Sequence, residues 1–396
     1  MELALKIKAA ATDIAEELVA IRRHLHSHPE LSFQEYNTVA YVKAQLESMG
    51  ITRIKSLAQT GLEVLIEGKN PHKKVVALRA DMDALPILEA NEVTYKSKNI
   101  GVMHACGHDV HTACLLGVAK ILNTITDQFE GTVKLIFQPG EEKLPGGASV
   151  MIAEGVLENP NVNAIIGQHV MPLIPVGKIG FRSGLYMAST DELYVTIKGK
   201  GGHGAMPHLC IDPVVISAQM IIALQQLVSR QANPILPSVL SFGKVIANGA
   251  TNVIPNEVYL EGTFRTLDEL WRKRAHELML RTAKSIAEGM GAEVNFEIKR
   301  GYPCLHNNPE LTARSKAAAI EYMGSENIID LDIWMAAEDF AYYSQETTAC
   351  FYRLGTRNEA KGITSGVHTP SFDIDENALE IGTGLMTYLA LKELGA

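Results

Sequence analysis

Residues 75–86 read VVALRADMDALP and carry the pattern that decides the fold. The run VVALR is apolar on both faces, which predicts a buried strand, and a turn rich in carboxylates follows it. Outward from this strand, the same reasoning predicts strands at 62–68, 132–138 and 163–169 and helices at 13–27 and 110–122. Strands that alternate with helices indicate an α/β fold with a central, mostly parallel sheet flanked by helices.

The pattern changes near residue 188. Strands are predicted within ELYVTIKGKG (192–201), at 238–246, at 257–265 and in EVNFEIK (293–299), and helices at about 212–231 and 267–290. This β-α-β-β-α-β order is that of a ferredoxin-like domain. We therefore predict a first domain built from 1–187 and 301–396, with a smaller α/β domain, 188–300, inserted into it.

Composition limits the classes of function. The chain has 396 residues, more than one hydrophobic core usually supports, and a net charge of −9. That charge argues against a general affinity for nucleic acid or anionic membranes. The sequence offers neither a membrane-spanning run nor a signal peptide, so we predict a cytoplasmic protein. Five scattered cysteines make a poor disulfide framework.

The densest chemical feature is HACGHDVH, residues 104–111. Thiolate and imidazole are preferred ligands of zinc and similar metals, and Cys106 and His108 can converge on one site. Asp109 could orient a metal-binding imidazole by accepting a hydrogen bond from its other ring nitrogen, although it could equally cap the helix that follows. The cluster as a whole favours a metal site.

Two adjacent carboxylates, Glu141 and Glu142, follow the predicted strand at 132–138. Such a pair is usually a solvated turn. Held at a pocket edge by Pro139-Gly140, however, one carboxylate could bind a metal while the other takes a proton from metal-bound water.

Isolated residues elsewhere are weaker candidates. His169 ends the predicted strand at 163–169, and His368 precedes Pro370. Asp81, with Asp83, could cap a turn or support a ligand.

The predicted inserted domain carries further candidates. Glycines around His203 would let the backbone approach a ligand, and an imidazole there could stabilise an oxyanion. Asn252 is a polar loop residue, and Arg265 could bind a carboxylate or be an ordinary surface arginine.

Nine motifs in order resemble those of the dimetal aminoacylase and carboxypeptidase superfamily, in its branch of hippurate hydrolases, auxin-conjugate hydrolases and N-acetyl-diaminopimelate deacetylases. They are RRHLHSHPELSFQE (22–35), RADMDALP (79–86), HACGHDVH (104–111), FQPGEE (137–142), GQHV (167–170), GKGGHGAMPH (199–208), TNVIPN (251–256), AAEDFAYY (336–343) and VHTPSFDIDENAL (367–379).

The resemblance implies roles for individual residues. It implies two divalent cations, which could be zinc, manganese, cobalt or nickel, bound by Cys106, His108, Glu142, His169 and His368, with Cys106 bridging. It makes Glu141 the general base. It makes the inserted domain a lid and dimerisation domain, so that the protein would be a homodimer, with a tetramer as the alternative. In that arrangement His203 and Asn252 would reach the partner's site, and Arg265 would bind the substrate carboxylate. Gly140 departs from the alanine that is common in this branch.

The expected activity is metal-dependent hydrolysis of N-acyl amino acids such as acetyl or benzoyl derivatives. A dipeptidase or metallocarboxypeptidase of the same superfamily is the alternative. Two other hypotheses remain at this point: a cysteine hydrolase in which His104 or His108 activates Cys106, and a binding protein with a decayed site.

Overall fold

The computed structural model describes residues 2–396, which form two compact units. The first unit contains residues 2–184, 306–333 and 339–396, and the second contains 185–305 and 334–338. Each unit has its own hydrophobic core.

The helices of the described chain are α1 Glu2–Asp13, α2 Ala15–Ser27, α3 Tyr36–Ser48, α4 His108–Thr124, α5 Gly147–Ala153, α6 Pro213–Gln226, α7 Glu269–Gly289, α8 Pro309–Met323, α9 Ala341–Glu346 and α10 Asn377–Leu394. Among these helices of residues 2–396, none combines the length and apolar character needed to cross a membrane.

The strands are β1 Ile54–Leu57, β2 Gly61–Glu67, β3 Val75–Asp81, β4 Thr132–Gln138, β5 Ala164–Pro175, β6 Ile179–Phe181, β7 Gly184–Met187, β8 Asp191–Lys198, β9 Gly202–His203, β10 Ser238–Ile246, β11 Val253–Ile254, β12 Glu257–Thr266, β13 Glu293–Arg300, β14 Leu305–Asn307, β15 Ile328–Asp330 and β16 Ala349–Arg357.

The first unit is built on an eight-stranded sheet in the order β1-β2-β4-β3-β5-β16-β6-β15. Its central strands are parallel, since β3 pairs in parallel with β4 and β5, and β5 with β16. Every residue of β3 and of β4 is buried, as expected where helices cover both faces of a sheet. The predicted α/β architecture is confirmed.

Strand β5 differs from its prediction. The apolar run was expected to stop at His169, but the strand continues to Pro175. The extension is stabilised by β16, whose Arg353 pairs with His169 and whose Arg357 pairs with Pro175. Strand β3 pairs with β5 only as far as Gly167. His169 therefore lies two residues beyond the last β3–β5 pair, level with the carboxyl end of β3, where side chains of several strands can meet.

Helix α4 begins at His108, two residues earlier than predicted, and is buried along almost its whole length. Gly107 precedes it with φ 84°, a left-handed conformation that favours glycine. A Cβ at Gly107 would lie 2.5 Å from Val170 Cγ2. The tight turn brings the thiol of Cys106 and the ring of His108 close to β5.

The second unit contains an antiparallel sheet in the order β10-β12-β8-β13, with α6 following β8 and α7 following β12. This is the predicted ferredoxin-like arrangement. Strand β10 has the predicted bounds and is exposed at most of its positions. Helix α6 is followed by a π-helical turn at Leu227–Gln231.

Candidate metal centre

Two predicted ligands, His169 and His368, lie beside a third, the thiol of Cys106. The Sγ atom lies 3.5 Å from Nε2 of His169 and 3.3 Å from Nε2 of His368. His169 also donates from Nδ1 to the carbonyl of Val170 at 2.7 Å. Because that bond places the ring proton on Nδ1, the Nε2 lone pair of His169 faces the thiol.

His108 is oriented by carboxylates of the turn after β3. Its Nδ1 lies 3.1 Å from Oδ1 of Asp83, and its Nε2 lies 3.6 Å from Oδ2 of Asp81. All three side chains are buried. In the neutral imidazole the bond to Asp83 places the proton on Nδ1, so the lone pair that could bind a metal is on Nε2.

Glu141 and Glu142 lie on the loop after β4. Glu141 is 6% exposed, and its Oε1 lies 3.4 Å from the backbone nitrogen of Asp339. The backbone N–H of Glu142 donates to Oδ2 of Asp83 at 2.9 Å. The pair is therefore held in place and is not a solvated turn.

The potential ligand atoms form two triads that share one residue. Cys106, His108 and His169 form the first, and Cys106, Glu142 and His368 the second; within each, all ligand atoms lie within 4.8 Å of one another. His108, Glu141 and Glu142 form a further group of the same compactness. A cysteine common to two triads is compatible with two neighbouring cations that share one thiolate. Asp81 with His108 and His111, and Glu141 with Glu338 and Asp339, form two further groups of the same compactness.

The electrostatics of the site favour positive charge. Burial raises the pKa of the Cys106 thiol well above its usual range, and the charges of Glu142 and Glu141 raise it further. Burial acts to lower the pKa of His108, but the carboxylates of Asp81 and Asp83 outweigh it and raise that pKa to about 10. Burial, aided by Arg353, lowers the pKa of His169 and keeps it neutral. A neutral imidazole is a competent metal ligand.

Two buried polar atoms test whether cations fit this site. Among residues 2–396, Nε2 of His108 and Oε1 of Glu142 have no hydrogen-bond partner. Glu142 Oε1 does lie 3.2 Å from Nε2 of His368, but without hydrogen-bond geometry. Leaving such atoms unpaired costs about 1–3 kcal/mol each. Both belong to the triads, so the donor set fits metal ions.

The two carboxylates that were predicted to support metal ligands, Asp81 and Asp109, bond to different partners. Asp81 accepts from Nδ1 of His111 at 2.5 Å, and Nε2 of His111 accepts from the backbone N–H of Val170. Asp109 does not cap α4 but pairs with Arg22 Nε and His26 Nδ1, each at 2.8 Å.

Two residues contribute more than the sequence indicated. Asp83 was noted only beside Asp81, yet it bonds to both His108 and the Glu142 loop. Asp339, in the motif AAEDFAYY, accepts from Arg79, Gln138 and the backbone N–H of Ala148. A buried carboxylate inside a recognised motif was the available signal for both.

The remaining predicted residues belong to the second unit. His203 on β9 is paired with Val253 of β11, and the carbonyl of Asn252 accepts from Gly204 at 2.8 Å, so His203 and Asn252 lie on one small exposed ribbon. Arg265 on β12 is partly buried and donates to the carbonyl of Met335 at 3.2 Å.

Comparison with known proteins places the chain among metallohydrolases. Residues 77–392 match the model of peptidase family M20/M25/M40. The chain is 45% identical over 305 residues to N-acyl-L-amino acid amidohydrolase of Geobacillus stearothermophilus, covering 77% of this chain and 82% of that protein. It is 39% identical over 399 residues to thermostable carboxypeptidase 2 of Saccharolobus solfataricus, covering 99% of each. The YXEP protein of Bacillus subtilis, a dinuclear metal binding peptidase from the M20 family, has a similar structure, with a TM-score of 0.83, 36% identity and coverage of 97% of this chain and 99% of that one.

Proposed function

Because the chain belongs to peptidase family M20/M25/M40, we propose that it is a metal-dependent amidohydrolase that cleaves the amide bond of N-acyl amino acids. The observation that carries this proposal is the pair of triads sharing Cys106, with Glu141 beside them. The similarity to an N-acyl-L-amino acid amidohydrolase supports the substrate class.

The proposed ligands divide into two sets. His108 and His169 would hold one divalent cation, Glu142 and His368 the other, and Cys106 would bridge them. Bound divalent cations would supply Lewis acidity and lower the pKa of a coordinated water. Zinc, manganese, cobalt and nickel all suit these donors.

Glu141 is the proposed general base and acid. Its buried carboxylate, in the same compact group as His108 and Glu142, would accept a proton from the attacking water. The water oxygen bonds to the amide carbon, the carbon–nitrogen bond breaks, and Glu141 returns the proton to the amine nitrogen. The products are a carboxylic acid and an amino acid.

A homodimer is part of the proposal. Strand β10 is an edge of its sheet and exposes Val245, and α6 exposes Val215 and Ile222, the last by 68%. Unpaired strand edges and exposed apolar side chains are typical of subunit interfaces. We propose that His203 and Asn252 then act on the partner's substrate, and that Arg265 binds the substrate carboxylate. A cytoplasmic location stays a prediction.

One alternative substrate class has a specific observation in its favour. The similarity to thermostable carboxypeptidase 2 extends over 99% of the chain, so hydrolysis of peptides from their carboxyl end is the second candidate. A nucleophilic Cys106 is disfavoured, because burial and the neighbouring carboxylates raise the pKa of its thiol when an activated thiol needs a lowered one.

A hydrolysis screen tests the proposal. The purified protein, reconstituted with each candidate metal, would be given N-acetyl and N-benzoyl amino acids, N-acetyl-diaminopimelate and plain dipeptides, with release of free amino acid as the readout. We expect turnover of N-acyl amino acids that a chelator abolishes and added metal restores. Undiminished activity in metal-free protein would contradict a metal mechanism, and activity on dipeptides alone would favour the alternative.

A further inference from the structure

The loop that carries Glu141 is held by a buried carboxylate on each side. Glu35 Oε1 accepts from the backbone N–H of Gly140 at 2.8 Å, and Asp83 Oδ2 accepts from that of Glu142 at 2.9 Å. Bonds from N–H groups to carboxylates are among the stronger hydrogen bonds in proteins. The backbone is thus fixed immediately before and immediately after Glu141.

Asp83 also contacts a proposed ligand, His108. The side chain of Glu35, by contrast, accepts hydrogen bonds from Phe33, Thr60 and Gly140, none of which is a proposed ligand or base. Glu35 precedes α3, where a glutamate could cap the helix or interact with its dipole. Its carboxylate bonds elsewhere: Oε1 also accepts from Phe33 N at 2.9 Å, and Oε2 accepts from Thr60 Oγ1 at 2.6 Å. The side chain is 0% exposed.

The two backbone groups that share Oε1 belong to residues in unusual conformations. Phe33 has φ 62° and Gly140 has φ 61°. Left-handed backbone costs a residue such as phenylalanine free energy and persists where the surroundings impose it. A Cβ at Gly140 would lie 2.5 Å from Cζ of Phe33. The ring of Phe33 therefore packs directly on the Gly140 backbone, and a single oxygen of Glu35 fixes both.

From this geometry we propose that Glu35 is a positioning residue for the reaction, which holds Phe33 against Gly140 and thereby sets the place of Glu141. The inference rests on the function proposed above. The proposed role of Glu35 needs acceptor oxygens at this position and does not need a negative charge. A glutamine could keep both backbone bonds through its oxygen while its amide donates to Thr60, whose hydroxyl can accept.

Three variants of the reconstituted enzyme separate the possibilities. Glu35→Gln should keep kcat within about threefold of wild type. Glu35→Met, of similar length but without acceptors, should lower kcat at least tenfold, since displacing a catalytic group by about 1 Å can cost a factor of 10². KM and metal content should change little. Thr60→Val is the matched control, because it removes a bond to the same carboxylate without touching the loop, and should leave kcat nearly unchanged.

A folded Glu35→Met protein with wild-type kcat overturns the proposal, as does an equal loss of kcat in Glu35→Met and Thr60→Val. If Glu35→Met does not fold, a cycle of Phe33→Ala, Gly140→Ala and the double variant decides. The left-handed φ of Gly140 strains an alanine in both backgrounds, but removing the ring relieves the clash with the new Cβ. Gly140→Ala should therefore lower kcat and thermal stability less in the Phe33→Ala background. Equal effects in both backgrounds overturn the proposal.

Failure of the proposed function would look different, because the metal-loaded wild-type enzyme would itself release no amino acid from any substrate.

Discussion

Gly147→Ala offers a direct test of how strictly the Glu141 loop must be placed. Gly147 begins α5, and its N–H donates to the carbonyl of Gly140 at 3.0 Å. A Cβ at this position would lie 1.7 Å from the carbonyl oxygen of Pro139, two residues before Glu141. The substitution therefore acts on the backbone of the loop without altering any proposed ligand.

The size of the effect follows from that distance. Real Cβ contacts essentially never fall below 3.0 Å, so the new Cβ and the carbonyl oxygen of Pro139, 1.7 Å apart, must separate by more than 1 Å. A displacement of about 1 Å at a catalytic group can cost a factor of about 10², which corresponds to about 2.7 kcal/mol in the activation free energy. Overpacking should also lower the free energy of unfolding by about 1–3 kcal/mol.

The assay compares kcat/KM for an N-acyl amino acid, metal content by elemental analysis and thermal unfolding. Gly289→Ala is the matched control, because among residues 2–396 a Cβ placed there would meet no atom within 4 Å outside the adjoining residues and backbone of its own helix. It should leave kcat/KM unchanged and stability equal or slightly raised. Gly147→Ala with kcat/KM within about threefold of wild type and unaltered thermal stability would refute the reasoning.

Three further predictions concern the site and its support. Glu141→Gln should abolish turnover while elemental analysis finds the metal retained; residual wild-type rates would remove Glu141 from the base role. Cys106→Ser should lower retained metal, and unchanged metal content after dialysis would argue against a bridging thiolate. In metal-free protein, burial raises the pKa of Glu35 from 4.5 to about 7, so its ionisation destabilises the fold as pH rises from 4.5 to 7. Glu35→Gln lacks this penalty, so between pH 5 and pH 8 its free energy of unfolding in urea should rise relative to that of wild type by up to about 3 kcal/mol. A difference between the two proteins that does not change with pH would contradict the raised pKa of Glu35.

Strand and helix positions were largely predictable because burial imposes periodicity on the sequence. Strands β10 and β4 have their predicted bounds, and the β-α-β-β-α-β order of the second unit was readable from the predicted strands and helices together. The differences lie at the ends of elements. Helix α6 ends at Gln226 and is followed by a π-helical turn to Gln231, where one helix to residue 231 was predicted. Strand β5 runs beyond His169 because β16 pairs with it, and helix α4 starts early because Gly107 turns into it. The pairing of β5 with β16 is not visible in the local pattern, and the glycine alone does not show where the helix begins.

By itself the sequence determined which chemistry is available: a thiol and imidazoles in HACGHDVH, two adjacent carboxylates after β4, and ordered motifs of a metallohydrolase family. Only the tertiary structure decided which of these side chains lie together and which residues orient them. It made Cys106 common to two triads, assigned Asp83 to His108 and Asp109 to Arg22, and placed Glu35 behind Gly140. The physical reason is that ligand geometry depends on distances of a few ångströms between side chains up to 262 positions apart, and local periodicity carries no information about those distances.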